Sequence, residues 1–243
     1  MNILISYLKS IGKELGEKRR SAVLSLLTPQ TKAAYLDLGC GDGDVTMTMA
    51  TKLGTSSVFG IDIIDSEIKK ARGRGMKVSK ADLDKKFPYR SNTFDVITAI
   101  QVIEHLFEVD TFVSDIYRVL KPGGTAVVST ENLSSWHNVF ALMVGLQPST
   151  GPYISNQFSI GFHPLATEHK KGHKKNPHLA VMRGHTRVMA FRSFVKLFEA
   201  YGFVVEEVRG VGFYPLPGFL ADIAAAIDPW HAVDVIVRLR KPG

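Results

Sequence analysis

Apolar residues recur at helical spacing near the start of the chain: Leu4, Leu8, Ile11 and Leu15, then Val23, Leu24 and Leu27, with basic residues between them. The spacing predicts one or two amphipathic helices over residues 3–27. Five short apolar runs follow: AAYLDLGC (33–40), SSVFGIDI (56–63), MKVSKADL (76–83), Phe94 to Ile100, and TAVVSTEN (125–132). Helical stretches separate most of them. One runs to Lys52, one covers DSEIKKARGRG with Asp65 as its N-cap, and one covers EVDTFVSDIYRVLKPGG, ended by Pro122 and two glycines. Strands alternating with helices of this length predict βαβ units and a Rossmann-like, doubly wound α/β fold on a mostly parallel sheet.

Beyond Asn132 the periodicity loosens. SSWHNVFALMVG reads as a helix, and residues 147–187 are rich in Gly, Pro, His and Lys, which predicts an inserted lid. AFRSFVKLFEAYG (190–202) is again amphipathic and precedes two strands, FVVEEVRGV and VDVIVRLR. Between those strands lies the apolar run GFYPLPGFLADIAAAIDPW, read most simply as core, with an acceptor pocket or a dimer interface as the other readings. No repeat or second domain is visible. The expectation is one domain over 1–243: a helical cap (1–30), a cofactor-binding core (31–132), the lid (147–187) and a C-terminal helix with strands (188–243).

Composition narrows this little. With 45% hydrophobic and 22% charged residues over 243 positions, disordered, collagen-like and coiled-coil classes are excluded. The lone Cys40 excludes an internal disulfide and fits a reducing compartment. Ser6, Lys9 and Ser10 break the first apolar stretch, so no signal peptide is read, and no run approaches the roughly 18 apolar residues of a membrane span. The expected location is the cytoplasm. Thirty Lys and Arg against 23 Asp and Glu give +7, which favours anionic partners: nucleic acid, phosphates or a lipid surface.

The chemistry concentrates in Asp37-Leu38-Gly39-Cys40-Gly41-Asp42-Gly43, at the end of the first strand and the start of a helix. Glycines there let backbone turn sharply and approach a ligand closely. The spacing is GxGxG and position 44 is Asp, which argues against the GxGxxG nicotinamide-dinucleotide fingerprint. A carboxylate about 20 residues on, Asp62, could accept two hydrogen bonds from a cis-diol.

In these motifs, and in FDVITAIQVIEHL (94–106) and LKPGG (120–124), the chain resembles the class I S-adenosylmethionine-dependent methyltransferases. The resemblance is close over 33–131 and looser over 190–240. It implies a seven-stranded sheet, S-adenosyl-L-methionine as cofactor, and cofactor contacts from Asp37, Gly39, Gly41, Gly43, Asp62, Ile63, Asp82, Leu83 and Gln101. Asp62 matches the family's ribose ligand and Asp82 its adenine contact.

Quinone-biosynthesis-type methyltransferases and small-RNA 2′-O-methyltransferases often carry E-x-x-E-H near this point, where some bind a divalent metal. Here Gln101 replaces the first Glu before Glu104 and His105. An uncharged amide is a poor ligand for a hard cation, so no metal is expected. Residues 162–185 hold five of the eight histidines and a lysine cluster, Lys170, Lys171, Lys174 and Lys175. This basic insert reads either as a solvated loop or as an anion-attracting lid. His185-Thr186-Arg187 occupies the place where the family often has His followed by a basic residue.

The reading is methyl transfer to an oxygen of a small-molecule acceptor (quinone precursor, saccharide or lipid class), with His105, His185 and His137 as candidate bases. An RNA methyltransferase, or a methyltransferase-like module that binds RNA or another anion without turnover, is the alternative. A nicotinamide-dependent oxidoreductase is disfavoured by the glycine spacing.

Overall fold

The computed structural model describes residues 2–152 and 184–243, excepting the side chains of residues 2–6, 8 and 9. Helix α1 (Asn2–Leu26) precedes β1 (Tyr35–Leu38), α2 (Asp44–Leu53), β2 (Val58–Asp62), α3 (Asp65–Gly73), β3 (Lys77–Lys80) and β4 (Phe94–Ile100). A 3-10 turn (Ile103–His105), α4 (Val109–Val119), β5 (Leu120–Glu131) and α5 (Trp136–Met143) follow. The later segment holds α6 (Phe191–Ala200), β6 (Val204–Val211), α7 (Gly218–Ile227), a second 3-10 turn (Pro229–His231) and β7 (Asp234–Arg240).

The seven strands form one sheet in the order β3-β2-β1-β4-β5-β7-β6. Strands β1 to β5 pair in parallel, while β7 runs antiparallel between β5 and β6. The parallel strands read as near-continuous apolar runs because both faces are covered. Leu36 and Leu38 of β1 join Phe112 and Ile116 of α4 and Phe194 and Phe198 of α6 in one apolar layer. Tyr35 joins Val23 and Leu26 of α1, Met49 and Leu53 of α2, and Ile68 of α3 in the other. Helix α4 shows the patterning plainly, burying Val109, Phe112, Val113, Ile116 and Val119 along one stripe. Each such side chain contributes about 1.5–3 kcal/mol on removal from water.

Of the one or two helices expected at the start of the chain, the structure has one, Asn2–Leu26. Three details differ from the sequence-based expectation. LKPGG does not merely end a helix: β5 begins at Leu120 opposite Phe94, and the ladder resumes at Thr125 opposite Val96, with an irregularity between. Asp65 is the first residue of α3 and makes no capping bond; Ile64 holds the N-cap position. Lastly, the apolar run before β7 is not core. Only Ala221 and Ala225 of α7 are buried, while Phe219, Ile223 and Ile227 face outward. The insert histidines His163, His169, His173 and His178, with Lys170, Lys171, Lys174 and Lys175, lie outside the described residues.

Candidate active site

Parallel strands deliver their carboxyl ends to one edge of the sheet, and the predicted ligand-binding residues gather there. The turn after β1 is tied to β2: Gly39 N–H and Cys40 N–H both donate to Ile61 O (2.9 and 3.1 Å). Gly39, Gly41 and Gly43 all have positive φ, but for different reasons. A Cβ on Gly39 would sit 2.7 Å from Val102 Cγ2, and one on Gly43 would sit 2.5 Å from Met76 Sδ, so these two serve internal packing. A Cβ on Gly41 would meet no atom within 4 Å. Gly41 alone therefore presents its Cα to open space, as a cradle for a ligand requires. Gly41→Val is expected to abolish cofactor binding in a calorimetric titration and to lower stability by about 1–2 kcal/mol, the cost of a side chain at this left-handed φ. A folded variant that binds normally would remove the turn from the site.

Asp37 lies beneath the turn. Its two carboxylate oxygens accept from Thr46 Oγ1 of α2 and Thr98 Oγ1 of β4, both at 2.5 Å. Burial raises its pKa to about 6. Asp37 thus fastens α2 to the sheet rather than reaching outward. Burial likewise pushes the Cys40 thiol up, which removes it as a nucleophile.

Asp62 shows a role the sequence does not reveal. Its Oδ2 accepts Gly41 N–H (2.8 Å), and its Oδ1 accepts Ile63 N–H (2.8 Å) and Ile64 N–H (2.9 Å). A carboxylate has about four acceptor positions, so about one remains free for a diol, where two were expected. The same bonds serve the entry to α3 that Asp65 was expected to cap. Beside it Ile63 is exposed, an apolar surface suited to a flat ring. Asp82 is half-buried in a local turn, its Oδ1 accepting Asp84 N–H (3.0 Å), and Leu83 is buried. Arg118 and Asp115 of α4 hold this loop through Phe87 and Tyr89. Gln101, at the end of β4, sits at φ 57°. A non-glycine residue there is strained and is held by its surroundings; here its N–H donates to Ser129 O (3.1 Å) and its Nε2 to Ser129 Oγ (3.4 Å).

Across the carboxyl ends of β4 and β5 lies a buried, mostly acidic group. Glu104, His105 and His185 each bring a ligand-type atom within 4.8 Å of the others. The backbone explains how His185 reaches Glu104 from so far along the chain. Glu104 O accepts Thr186 N–H (2.7 Å) and Arg187 N–H (3.2 Å), which fixes the stretch after His185 to the 3-10 turn. The rings of His105 and His185 have centroids 5.1 Å apart. His185 Nδ1 lies 3.0 Å from Thr150 O and 3.2 Å from Glu131 Oε2. A carbonyl only accepts, so Nδ1 carries the proton and Nε2 of the neutral ring keeps its lone pair. Burial also lowers the His185 pKa, which favours that neutral ring. His137 stands outside the cluster, its ring against Tyr214 (centroids 5.5 Å).

Glu131, Asp234 and Arg19 were not among the predicted site residues. Glu131 and Asp234 are cross-strand partners on β5 and β7. Asp234 Oδ2 pairs with Arg19 of α1 (Nε 2.9 Å, Nη2 2.8 Å), and its Oδ1 has no hydrogen-bond partner among the described residues. Burial raises Glu104 to about 7 and, with Asp234 and Glu104 nearby, Glu131 to about 8. Both values exceed the ordinary 4.5, so the folded chain binds more protons than the unfolded one. Their contribution to stability is full below pH 4.5 and is lost as pH rises through about 7 and about 8. The melting temperature should therefore fall from about pH 4.5 to about pH 8, and Glu131→Gln should flatten much of that fall. An equal slope in the variant would show that Glu131 is not its source.

Comparison with known proteins agrees with this geometry. Residues 36–128 match the methyltransferase domain family. The chain is 36% identical over 115 residues to the mitochondrial ubiquinone biosynthesis O-methyltransferase of Bos taurus, a match covering 43% of this chain but only 30% of that enzyme. It is 24% identical over 213 residues to the ubiquinone biosynthesis O-methyltransferase of Idiomarina loihiensis, covering 85% of this chain and 74% of the relative. An S-adenosylmethionine-dependent methyltransferase from Mesorhizobium loti shares the fold with a TM-score of 0.61 at 21% identity, over 91% of this chain and 96% of that one. Residues 36–128 thus match a methyltransferase domain, and the chain shares the fold of S-adenosylmethionine-dependent methyltransferases.

Proposed function

We propose that the chain transfers a methyl group from S-adenosylmethionine to a hydroxyl oxygen of a small-molecule acceptor, with a hydroxylated aromatic of the quinone-precursor type as the leading class. The observation that carries this reading is the neutral His185, with Nε2 unprotonated, beside Glu104 and His105 at the edge that also bears the open glycine turn. The names of the relatives point to the same acceptor class.

When bound, the cofactor supplies an activated methyl group on a sulfonium. The residues that would hold it are the backbone around Gly41, the remaining acceptor position of Asp62, and the apolar sides of Ile63 and Leu83. The protein's other tasks are to align the acceptor, exclude water and take one proton. His185 Nε2 accepts that proton from the hydroxyl as the methyl group arrives. Thr150 O accepts Nδ1–H and holds the ring's orientation while it becomes imidazolium, with Glu131 Oε2 3.2 Å from Nδ1. Glu104, His105 and His185 supply one carboxylate and two imidazoles, and Gln101 Nε2 is turned to Ser129 Oγ; this scheme uses no metal.

The test is transfer of labelled methyl from S-adenosylmethionine to a panel of hydroxylated aromatics, saccharides and RNA, with and without EDTA. The expected result is a labelled aryl ether formed at the same rate in both. Cofactor binding without transfer to any acceptor would favour a binding module instead. Loss of transfer on chelation, restored by magnesium, would make Glu104, His105 and His185 cation ligands and overturn the metal-free scheme.

A further inference from the structure

We infer that the β3 edge of the sheet is a docking rim for double-helical nucleic acid, gripped through its phosphates without regard to sequence. The positive charge of the chain is not spread evenly. Residues 69–90 hold nine lysines and arginines against two acids, while the remaining 21 cations and 21 acids cancel. This one stretch therefore carries the whole net charge of +7, and all nine of its cations are exposed. The fold gathers them along one rim, since β3 is the last strand on its side of the sheet. Lys69 and Arg72 come from α3, whose Ile68 and Ala71 pack in the layer on one face. Lys85, Lys86 and Arg90 come from the loop after β3, whose Leu83 and Phe87 pack in the layer on the other face. Lys77 and Lys80 stand between the two flanks, about 10 Å apart along the strand.

Carboxylates neutralise little of this charge. Lys70 pairs with Glu67 (2.9 Å), Lys80 with Asp65 (2.6 Å) and Arg74 with Asp42 (3.4 Å). The other six cations have no ion pair among the described residues. The two acids of the stretch are engaged by backbone: Asp82 Oδ1 accepts Asp84 N–H (3.0 Å), and Asp84 Oδ1 accepts Phe107 N–H and Glu108 N–H (2.8 and 2.9 Å). Two of the cations are already ordered, which lowers the entropy lost on binding. Arg72 Nε and Nη2 donate to Val78 O (3.2 and 2.7 Å), and Lys77 Nζ lies 5.1 Å from the Phe59 ring centroid.

Three observations select a duplex as the occupant. No large apolar side chain of residues 69–90 is exposed. The rim thus lacks the apolar centre of a protein interface and the second, apolar signal that firm attachment to a bilayer requires. Its aromatic rings offer no platform for unstacked bases, on which single strands depend. Phe59 lies under Lys77, and the half-buried Tyr89 stands edge-on to Phe59 and Phe94 with its hydroxyl bonded to Ser79 (3.1 Å). Lastly, cations flank β3 on both sides, as the two phosphate rows bordering a duplex groove require; a flat surface would meet only the crest. The inference is independent of the methyl-transfer reading.

The whole chain, without cofactor, is titrated into labelled DNA and RNA duplexes of about two helical turns and into their single strands, and anisotropy is read at several salt concentrations. Micromolar binding at low salt is expected, alike for both duplexes and weaker for the single strands. The slope of log affinity against log salt should be about −5, the value for about six phosphate contacts. The Lys85→Ser, Lys86→Ser, Arg90→Ser triple variant should bind about tenfold more weakly or worse, with the slope flattened by about 3. A second triple variant, Lys13→Ser, Lys32→Ser, Lys52→Ser, removes the same charge from exposed positions away from the rim and should lose less than about threefold. Melting temperature and S-adenosylmethionine titration check both folds. The proposal is overturned if no duplex binds at low salt, if the two triple variants lose affinity equally, or if single strands bind as tightly as duplexes. A preference above about tenfold for one duplex would show that more than phosphate is read, and would overturn it too. Pelleting with phosphatidylglycerol vesicles that the rim variant abolishes, without duplex binding, would assign the rim to a bilayer and overturn it equally.

Discussion

His185→Asn lowers kcat by about 10²–10⁴-fold, the usual worth of a positioned acid–base group, and leaves S-adenosylmethionine affinity unchanged. The asparagine amide can keep the place of Nδ1–H against Thr150 O, so packing is held while the Nε2 lone pair is lost. The pH profile adds a second readout. Burial lowers the wild-type pKa from 6.5, so the rate should fall only as pH drops below that value, when the ring takes its proton from solvent. The variant should lack this acid limb. A kcat within about threefold of the parent would show that another group takes the proton.

Arg19→Met lowers stability by about 3–5 kcal/mol, the cost of leaving a buried carboxylate without its partner. Asp234 is 0% exposed, and burial already raises its pKa despite the guanidinium beside it. Without Arg19 three carboxyls, Glu104, Glu131 and Asp234, would share a pocket whose coulombic balance now depends on that one cation. The double variant Arg19→Met, Asp234→Asn should recover most of the loss, because a neutral amide carries no charge to desolvate. The measurement is urea unfolding with equal slopes. A loss under about 1 kcal/mol would mean that Asp234 is protonated and the pair contributes as little as a surface pair.

The half of the site proposed to hold the cofactor was legible because its logic is local. A strand, a glycine turn and a helix follow one another in the chain, and an acid at the end of the next strand needs no distant partner to be noticed. Sequence could not show that Asp62 spends three acceptor positions on its own backbone, since that requires knowing where Gly41 N–H points. The acceptor half is non-local. Glu131 resembled any polar residue at a strand end, and Asp234 any first residue of a strand. Arg19 was one of several basic positions on a predicted helix. An acid closing a strand in an α/β fold is the signal the sequence carries for Glu131. The misreading of α7 has a different cause. Apolar composition says what water disfavours, not whether the fold supplies a cover.

The antiparallel insertion of β7 has a consequence for assembly of the chain. Because β7 runs backwards between β5 and β6, its first residue, Asp234, arrives at the edge where β5 ends. Arg19 meets it across 215 positions of sequence. Such contacts exact their loop-closure entropy before they return any energy. A growing polypeptide can therefore complete the glycine turn, Asp62 and the strands around them while the pocket of Glu104, Glu131 and Asp234 still lacks its last wall. The two halves of the proposed site have different birthdays: the turn proposed to bind precedes the pocket proposed for the chemistry, and the interval ends when the final strand enters the gap left for it.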